Sequence, residues 1–237
     1  MLICNALTVL AAILLIFYLS ERLKKSSVKA TFIKSVVSVF FIAVALCAWQ
    51  LSGLTGVSRP IGYLVLLGLV LGLLGDVWLD LKFVFPTEDD PLTYSGFIVF
   101  GVGHLFYIAG LISYFYPKGK IAYLLVPILI AVLLGIGNLL LEKPMKLRFG
   151  KMKPVVFAYS LCLFSTVMIS GSFALYHAFQ LSTLNLIFLG SVLFAISDLI
   201  LSGTYFGTGK DRPVDIICNY LFYYSGQFLI AYSLMFL

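Results

Sequence analysis

Two carboxylates stand one helical turn apart in a very apolar stretch of the sequence. Asp76 and Asp80 occur in "LGLLGDVWLDLKFVFP", residues 71–86, and the four-residue spacing places both on one face of a helix. A charged group in such surroundings is unfavourable by several kcal/mol, so it usually faces the interior of a bundle and marks a functional site or a structural pair. Carboxyl groups there can act as general acids, as anions facing a developing cation, or as proton carriers.

Two further ionisable residues lie deep in apolar segments. His104 and Asp198 are flanked by apolar residues on both sides, so with Asp76 they are the candidate catalytic residues. A mutually satisfied polar cluster with a purely structural role is the competing interpretation of these three. Lys34 stands at the start of an apolar segment, where snorkelling to the membrane surface competes with a site role.

Polar residues on neighbouring segments converge on the same side of the membrane. Asp76 and His104 each lie about 8 residues from the end of their predicted helix on that side of the membrane, which corresponds to a depth of roughly 12 Å. In the last segment, five polar residues fall at i, i+1, i+4, i+5 and i+8 and so share one helix face. The predicted binding residues are Lys34, Asp80, Tyr107, Tyr159, Ser197, Asn219, Tyr223, Tyr224 and Gln227.

The segments that must position these residues are membrane spans. Of the 237 residues, 62% are hydrophobic and 11% are charged, a composition that excludes a soluble domain. Runs of about 20 apolar residues suit a transmembrane helix. We expect an all-α polytopic membrane protein with a single integral membrane domain over residues 1–237. Its eight predicted helices cover about 3–20, 32–51, 61–83, 96–115, 121–141, 155–177, 184–202 and 214–236.

The position of the basic residues predicts how the bundle is oriented. Loops 1-2, 3-4, 5-6 and 7-8 hold 13 of the 16 Lys and Arg residues, and the other three are Arg59, Lys118 and Lys120. By the positive-inside rule those four loops are cytoplasmic, and both termini face the non-cytoplasmic side. In a membrane protein the net charge of +6 reflects this asymmetry, so we expect no nucleic-acid partner.

Other hydrolytic chemistries find weaker support. A catalytic zinc commonly has three protein ligands rich in His, whereas the chain has only His104 and His177, predicted at opposite ends of the bundle. An all-carboxylate metal site stays open as an alternative. The four cysteines lie singly in different segments and lack the spacing of metal ligands, so we interpret them as small buried hydrophobic residues. Ser197 lacks a G-x-S-x-G context. We therefore predict neither a metal nor a cofactor.

Four short motifs resemble one family of membrane proteins. "LLGDVWL", "GVGHLFYIAG", "FAISDLIL" and "YYSGQFLIA", in this order and spacing, are similar to the YhhN family of multi-pass proteins, whose members include lysoplasmalogenases. The resemblance runs over nearly the whole chain. One departure follows Lys34, where the family tends to have Pro and this chain has Ser35.

The resemblance implies hydrolysis of the vinyl ether at sn-1 of lysoplasmalogens to a fatty aldehyde and a glycerophospho-base. We expect Asp76 and Asp198 to divide the roles of acid and anion, with His104 positioning or deprotonating water and Tyr107 orienting it. Lys34 would meet the substrate phosphate. The remaining predicted binding residues would line the pocket, with Asp80 at its entrance. The expected partners are a lysophospholipid substrate and membrane lipid.

The same buried charges leave other kinds of protein open, among them a membrane amidase or ceramidase-like hydrolase, which the shortage of histidines disfavours. A lipid flippase or proton-coupled transporter would use them as a relay, and a structural or sensory protein would tolerate their neutralisation. The first segment lacks a basic n-region, so it is expected to be a retained helix rather than a signal peptide. The compact, tail-free chain favours a bacterial inner membrane over the endoplasmic reticulum.

Overall fold

The fold is all-α, as the sequence predicts. The computed structural model describes residues 1–24, 27–53, 59–207 and 212–237, and within them it contains eight α-helices and no β-strand. The helices are α1 (Leu2–Lys24), α2 (Val28–Leu51), α3 (Arg59–Leu81), α4 (Asp89–Phe115), α5 (Ala122–Leu140), α6 (Lys153–Tyr176), α7 (Ser182–Phe206) and α8 (Pro213–Ser233). Short 3₁₀ turns cover Pro86–Glu88, Gly150–Met152 and Leu234–Phe236.

Most helix ends lie within a few residues of the prediction, and α4 is the main exception. It begins at Asp89 rather than near residue 96. Residues 89–95, which lie between the third and fourth predicted helices, are therefore helical. Acidic residues in the first turn interact favourably with the helix dipole. The Thr93 hydroxyl also donates to Asp89 Oδ1 at 2.9 Å, which stabilises this first turn.

The helices α1 to α7 are long and apolar enough to cross a membrane. α8 has 21 residues, which suits a span, but it is less apolar because it carries the polar stripe from Asn219 to Gln227. These polar side chains are buried, so the face that makes α8 less apolar is turned into the protein. The chain is thus an integral, multi-pass membrane protein.

Six helices form a closed ring, and two lie outside it. The order of contacts around the ring is α2, α3, α4, α6, α7, α8 and back to α2. α1 packs mainly against α2, and α5 packs against α6. These two outer helices also bury the smallest share of their residues. Each ring helix contributes at least one of the candidate residues.

Contacts between loops place four of them at one end of the bundle. The Arg22 guanidinium in the last turn of α1 lies 3.7 Å from the centroid of the Phe83 ring, just after α3. Leu147, between α5 and α6, forms a β-bridge with Gly207, just after α7. We name this the basic end, because it carries most of the basic residues. Lys25 and Lys210, which belong to the predicted basic loops, lie outside the described residues.

The loop between α5 and α6 is fastened across the basic end. Glu142 forms a 2.8 Å ion pair with Lys153 and accepts a hydrogen bond from the Phe149 amide at 3.0 Å. The hydrogen bond from Lys153 lowers the pKa of Glu142 below its usual value. The Phe149 ring packs against Phe206 at the end of α7. The loop therefore covers the bundle next to the cavities described below.

Glycines allow close packing inside the ring. A Cβ on Gly226 of α8 would lie 2.6 Å from the carbonyl oxygen of Gly190 in α7, so the two backbones touch here. In α3, Gly68 and Gly75 face the rings of Tyr107 and Phe100. Gly72 likewise leaves room for the side chain of Gln227.

Candidate active site

A buried lysine lies between two aspartates where α2 meets α3. Lys34 Nζ is 3.3 Å from Asp76 Oδ1 and 3.1 Å from Asp80 Oδ1, and all three side chains are at most 4% exposed. The four-residue spacing of the aspartates puts both on the face of α3 that meets α2, as predicted. The formal charge of the group is −1, so the lysine is fully engaged by carboxylates.

Asp76 receives two further donors. The Ser38 hydroxyl, one turn beyond Lys34 on α2, donates to Asp76 Oδ2 at 2.6 Å. The Tyr223 hydroxyl of α8 donates to the same oxygen at 2.7 Å. Donors of this kind stabilise the ionised form of a carboxyl group. These donors therefore favour the anionic form of Asp76, which burial opposes.

Polar residues of α8 fix the direction of these hydrogen bonds. Gln227 Nε2 donates to the Tyr223 hydroxyl oxygen at 3.1 Å, which leaves the Tyr223 proton directed at Asp76. Tyr224 lies 3.1 Å from Ser38 Oγ and donates to the Lys34 carbonyl at 3.3 Å. Tyr107 of α4 donates to Gln227 Oε1 at 3.4 Å.

The Asp80 side chain is more buried than expected of a residue at a pocket entrance. It is 2% exposed, and besides Lys34 it accepts a hydrogen bond from the Tyr18 hydroxyl of α1 at 3.2 Å. It does not line the cavity described next. The structure therefore places Asp80 behind Lys34 instead of at the predicted pocket entrance.

The third carboxylate of the site, Asp198 of α7, is paired with a tyrosine of α6. Tyr159 donates a hydrogen bond to Asp198 Oδ2. The neighbouring Ser197 accepts two hydrogen bonds from Asn219 Nδ2 of α8, at its carbonyl oxygen (2.8 Å) and its hydroxyl (2.9 Å). α6, α7 and α8 therefore fix this part of the site together.

Asp76 and Asp198 line one cavity, which we name the polar cavity. It is small, with a volume of about 20 Å³, and lies inside the ring close to the basic end. Its charged and hydrogen-bonding lining also includes Lys34, Tyr159 and Tyr223. The remaining lining residues are Leu79, Phe97, Phe100, Ser197, Leu201, Tyr205, Asn219 and Tyr220.

A second, largely apolar cavity adjoins the first between α6 and α7. It has a volume of about 30 Å³, and it shares Asp198 and Tyr159 with the polar cavity. Leu163, Phe164 and Leu199 are among its walls. Leu199 is 39% exposed on the outer surface, so this apolar cavity reaches the lipid-facing side of the bundle.

His104 lies behind the cavity wall. Its Nδ1 is 3.1 Å from Thr166 Oγ1, and the Thr166 hydroxyl donates to the Cys162 carbonyl at 3.0 Å. Nδ1 therefore carries a hydrogen. Nε2 is buried and has no hydrogen-bond partner among the described residues. The rings of Tyr159 and Phe194 pack against the imidazole, and His104 lines neither cavity.

A sequence model of the YhhN family matches residues 29–234. The chain belongs to the YhhN family. No curated protein and no solved structure matches the chain. The three candidate catalytic residues lie within the YhhN match, as do the six ring helices except for Val28 at the start of α2, whereas all of α1 precedes it.

Some site residues of this YhhN protein were not found by sequence reasoning. Ser38 and Tyr18 contact Asp76 and Asp80 directly, yet uncharged hydroxyl residues in apolar helices are common and give no signal of their own. Ser38 lies four residues after Lys34, so its place on the same helix face was the available clue. Tyr205 was missed because it lies near a helix end, where aromatic residues are frequent.

Proposed function

We propose that this YhhN protein is a lysoplasmalogenase, a membrane hydrolase that cleaves the sn-1 vinyl ether of lysoplasmalogens. The observation that carries the proposal is that Asp76 and Asp198 line one polar cavity, which adjoins an apolar cavity and shares lining residues with it. The products are a fatty aldehyde and glycerophosphoethanolamine or glycerophosphocholine. A single-chain lipid would place its glycerol in the polar cavity and its chain along the apolar one, and both cavities would have to widen to admit it, since their volumes are about 20 and 30 Å³.

Asp76 serves as the anion that faces the developing cation. Protonation of the vinyl ether at its β-carbon gives an oxocarbenium ion, which a nearby fixed carboxylate stabilises. Ser38, Tyr223 and Lys34 all direct hydrogens at Asp76, and these contacts favour its ionised form. Because Asp80 shares Lys34, the group retains a net negative charge beside the cavity.

Asp198 serves as the general acid. Among the described residues its side chain accepts one hydrogen bond, from Tyr159, and it lies where the two cavities meet. A vinyl ether placed there would have its double bond next to Asp198 and its glycerol next to Asn219. This position makes Asp198 a better proton source than Asp76, which three donors surround.

One water molecule completes the proposed reaction. Asp198 gives its proton to the β-carbon, and its carboxylate then accepts a proton from the water that attacks the oxocarbenium carbon. The hemiacetal formed in this way collapses to the aldehyde and the glycerol hydroxyl. His104 and Tyr107 lie outside the polar cavity, so we assign them to the support of its aromatic wall rather than to the water.

The test is aldehyde release by the purified protein from a 1-alkenyl lysophosphatidylethanolamine, run beside the 1-acyl analogue. We expect aldehyde from the alkenyl lipid alone. Asp76→Asn and Asp198→Asn each remove most of this activity while the proteins stay folded. Asp90→Asn, which changes an exposed carboxylate at the start of α4, is the matched control and retains full activity.

Two outcomes would reject the proposal. Full activity in both core variants would remove the carboxylates from the mechanism. Uptake of lipid or protons by reconstituted protein without any product would favour a transporter, in which the hydrogen bonds from Tyr107 through Gln227 and Tyr223 to Asp76 form part of a relay.

A further inference from the structure

The phosphate of the substrate needs a cationic partner other than Lys34. Both carboxylates of α3 already contact Lys34 Nζ, and the group carries a net negative charge. A phosphodiester next to it would be repelled by Asp76 and Asp80. The polar cavity therefore suits the vinyl ether and glycerol, and the phosphate must lie outside it.

Two cations lie just beyond the wall of the polar cavity, at the basic end. Lys82 Nζ is 3.5 Å from the centroid of the Tyr205 ring, and Tyr205 lines both cavities. The Arg22 guanidinium lies 3.7 Å from the centroid of the Phe83 ring, and Lys82 Nζ lies 5.3 Å from the same centroid. One aromatic pair, Phe83 and Tyr205, thus holds both cations beside the cavity.

The depth of these cations matches that of a lipid phosphate. Arg22 is in the last turn of α1, and Lys82 directly follows α3. Both therefore lie at the level where apolar spans end and head groups begin. A lipid whose chain occupies the apolar cavity would place its phosphate at this level.

One partner of Lys82 is an exposed carboxylate that a ligand can replace. Lys82 Nζ lies 3.2 Å from Asp89 Oδ1, and the Asp89 side chain is 54% exposed whereas the Lys82 side chain is 8% exposed. An exposed carboxylate can yield its place to a phosphate oxygen without leaving a buried charge unpaired. The Arg22 guanidinium adds planar, two-point recognition of the phosphate.

We propose that Arg22 and Lys82 bind the phosphodiester of the lysophospholipid at the basic end of the polar cavity. The inference rests on the proposed function for the identity of the lipid. It predicts that the site selects phosphorylated single-chain lipids over neutral ones. Arg22 and Lys82 are then specificity residues that act on binding and not on the bond that breaks.

The experiment measures binding of two lipids that cannot be hydrolysed, to the full-length protein in nanodiscs. The lipids are a 1-alkyl lysophosphatidylethanolamine and the matching 1-alkylglycerol, which have the same saturated ether and differ in the phosphoethanolamine head group alone. We expect the wild type to prefer the phosphorylated lipid. Arg22→Gln and Lys82→Gln each reduce that preference about tenfold, with the affinity for the alkylglycerol unchanged.

The alkylglycerol reports whether each variant is folded, and Lys24→Gln provides the matched control. Lys24 is on the same helix as Arg22 and its side chain is 72% exposed, so its variant keeps the full preference. Equal binding of both lipids by the wild type, or an equal loss of both in the variants, overturns the phosphate site. Selective binding without aldehyde release rejects the hydrolase and retains the site.

Discussion

At the scale of single residues, the site depends on one lysine that balances two aspartates. Separating either charge from its partner inside a bilayer is far less favourable than in water. Lys34 therefore has a structural role in addition to its place at the cavity wall. Its effect on stability can be measured separately from its effect on activity.

We expect Lys34→Met to reduce the free energy of unfolding by about 3–5 kcal/mol, because it leaves two buried carboxylates without a counter-charge. The measurement is the thermal midpoint of the detergent-solubilised protein. The double variant Lys34→Met/Asp80→Asn, which removes one of the two unbalanced charges, recovers most of the loss. A single variant as stable as the wild type would contradict this account of the triad.

Tyr223→Phe tests whether the hydrogen bonds to Asp76 matter for turnover. Removing a donor to a charged group weakens its stabilisation, and we expect kcat for aldehyde release to fall about tenfold or more. Tyr232→Phe is the control, since its hydroxyl bonds Asn5 and lies at the far end of the same helix. Equal rates in the two variants would show that Asp76 does not need this donor.

The candidate residues were predictable because charge is rare in this chain, but their pairing was not. Asp76 and Asp198 are identified by the apolar residues on either side of them. The contact between Lys34 and both aspartates depends on which helices are neighbours and how each is rotated. His104 shows the same limit, since its position in the sequence does not reveal the aromatic layer that separates it from the cavity.

At the scale of helices, the α7–α8 contact fixes the second half of the site. Asp198 and Ser197 come from α7, and Asn219 and Tyr223 come from α8. The two backbones meet at Gly190 and Gly226, so any residue with a Cβ there pushes these helices apart. Hydropathy predicts that both helices exist, whereas their separation is set by these glycines.

Gly226→Ala is expected to lower the stability by about 1–3 kcal/mol, because the added methyl group overlaps the Gly190 carbonyl and the backbones must shift. Gly137→Ala in α5 is the matched control, since a Cβ there meets no atom within 4 Å. Thermal unfolding of the two variants in the same detergent provides the comparison. A midpoint for Gly226→Ala at or above that of Gly137→Ala would exclude a tight contact.

The starts of helices show what a pattern of apolar residues leaves out. Hydropathy alone placed the fourth helix after its acidic residues, near residue 96. The observed start at Asp89 reflects the favourable interaction of acidic side chains with a helix N-terminus. This interaction involves polar residues, which a search for apolar runs ignores. The termini of spans therefore need capping arguments in addition to hydropathy.

At the scale of the whole molecule, the basic loops share one end of the bundle, but the side of the membrane that they face rests on the positive-inside rule. The prediction is that this end is cytoplasmic and both termini are not. The exposed residues Lys118 and Lys151 lie in loops that this topology places on opposite sides.

In a background without the four native cysteines, Lys118→Cys and Lys151→Cys report on the orientation. A membrane-impermeant maleimide applied to intact cells should label Lys118→Cys, because its loop is expected outside. Lys151→Cys should react after permeabilisation alone. The opposite pattern would invert the molecule and place the polar cavity near the outer surface.

The contact between Lys34 and the two aspartates also bears on how the protein is made. α2 and α3 are consecutive in the chain, so the positive charge of one meets the negative charges of the other within a single helical hairpin. Helices with unbalanced charges insert poorly on their own. The hairpin can be released into the bilayer as a nearly neutral unit before α4 to α8 are synthesised, and the later helices then close the ring around charges that are already paired.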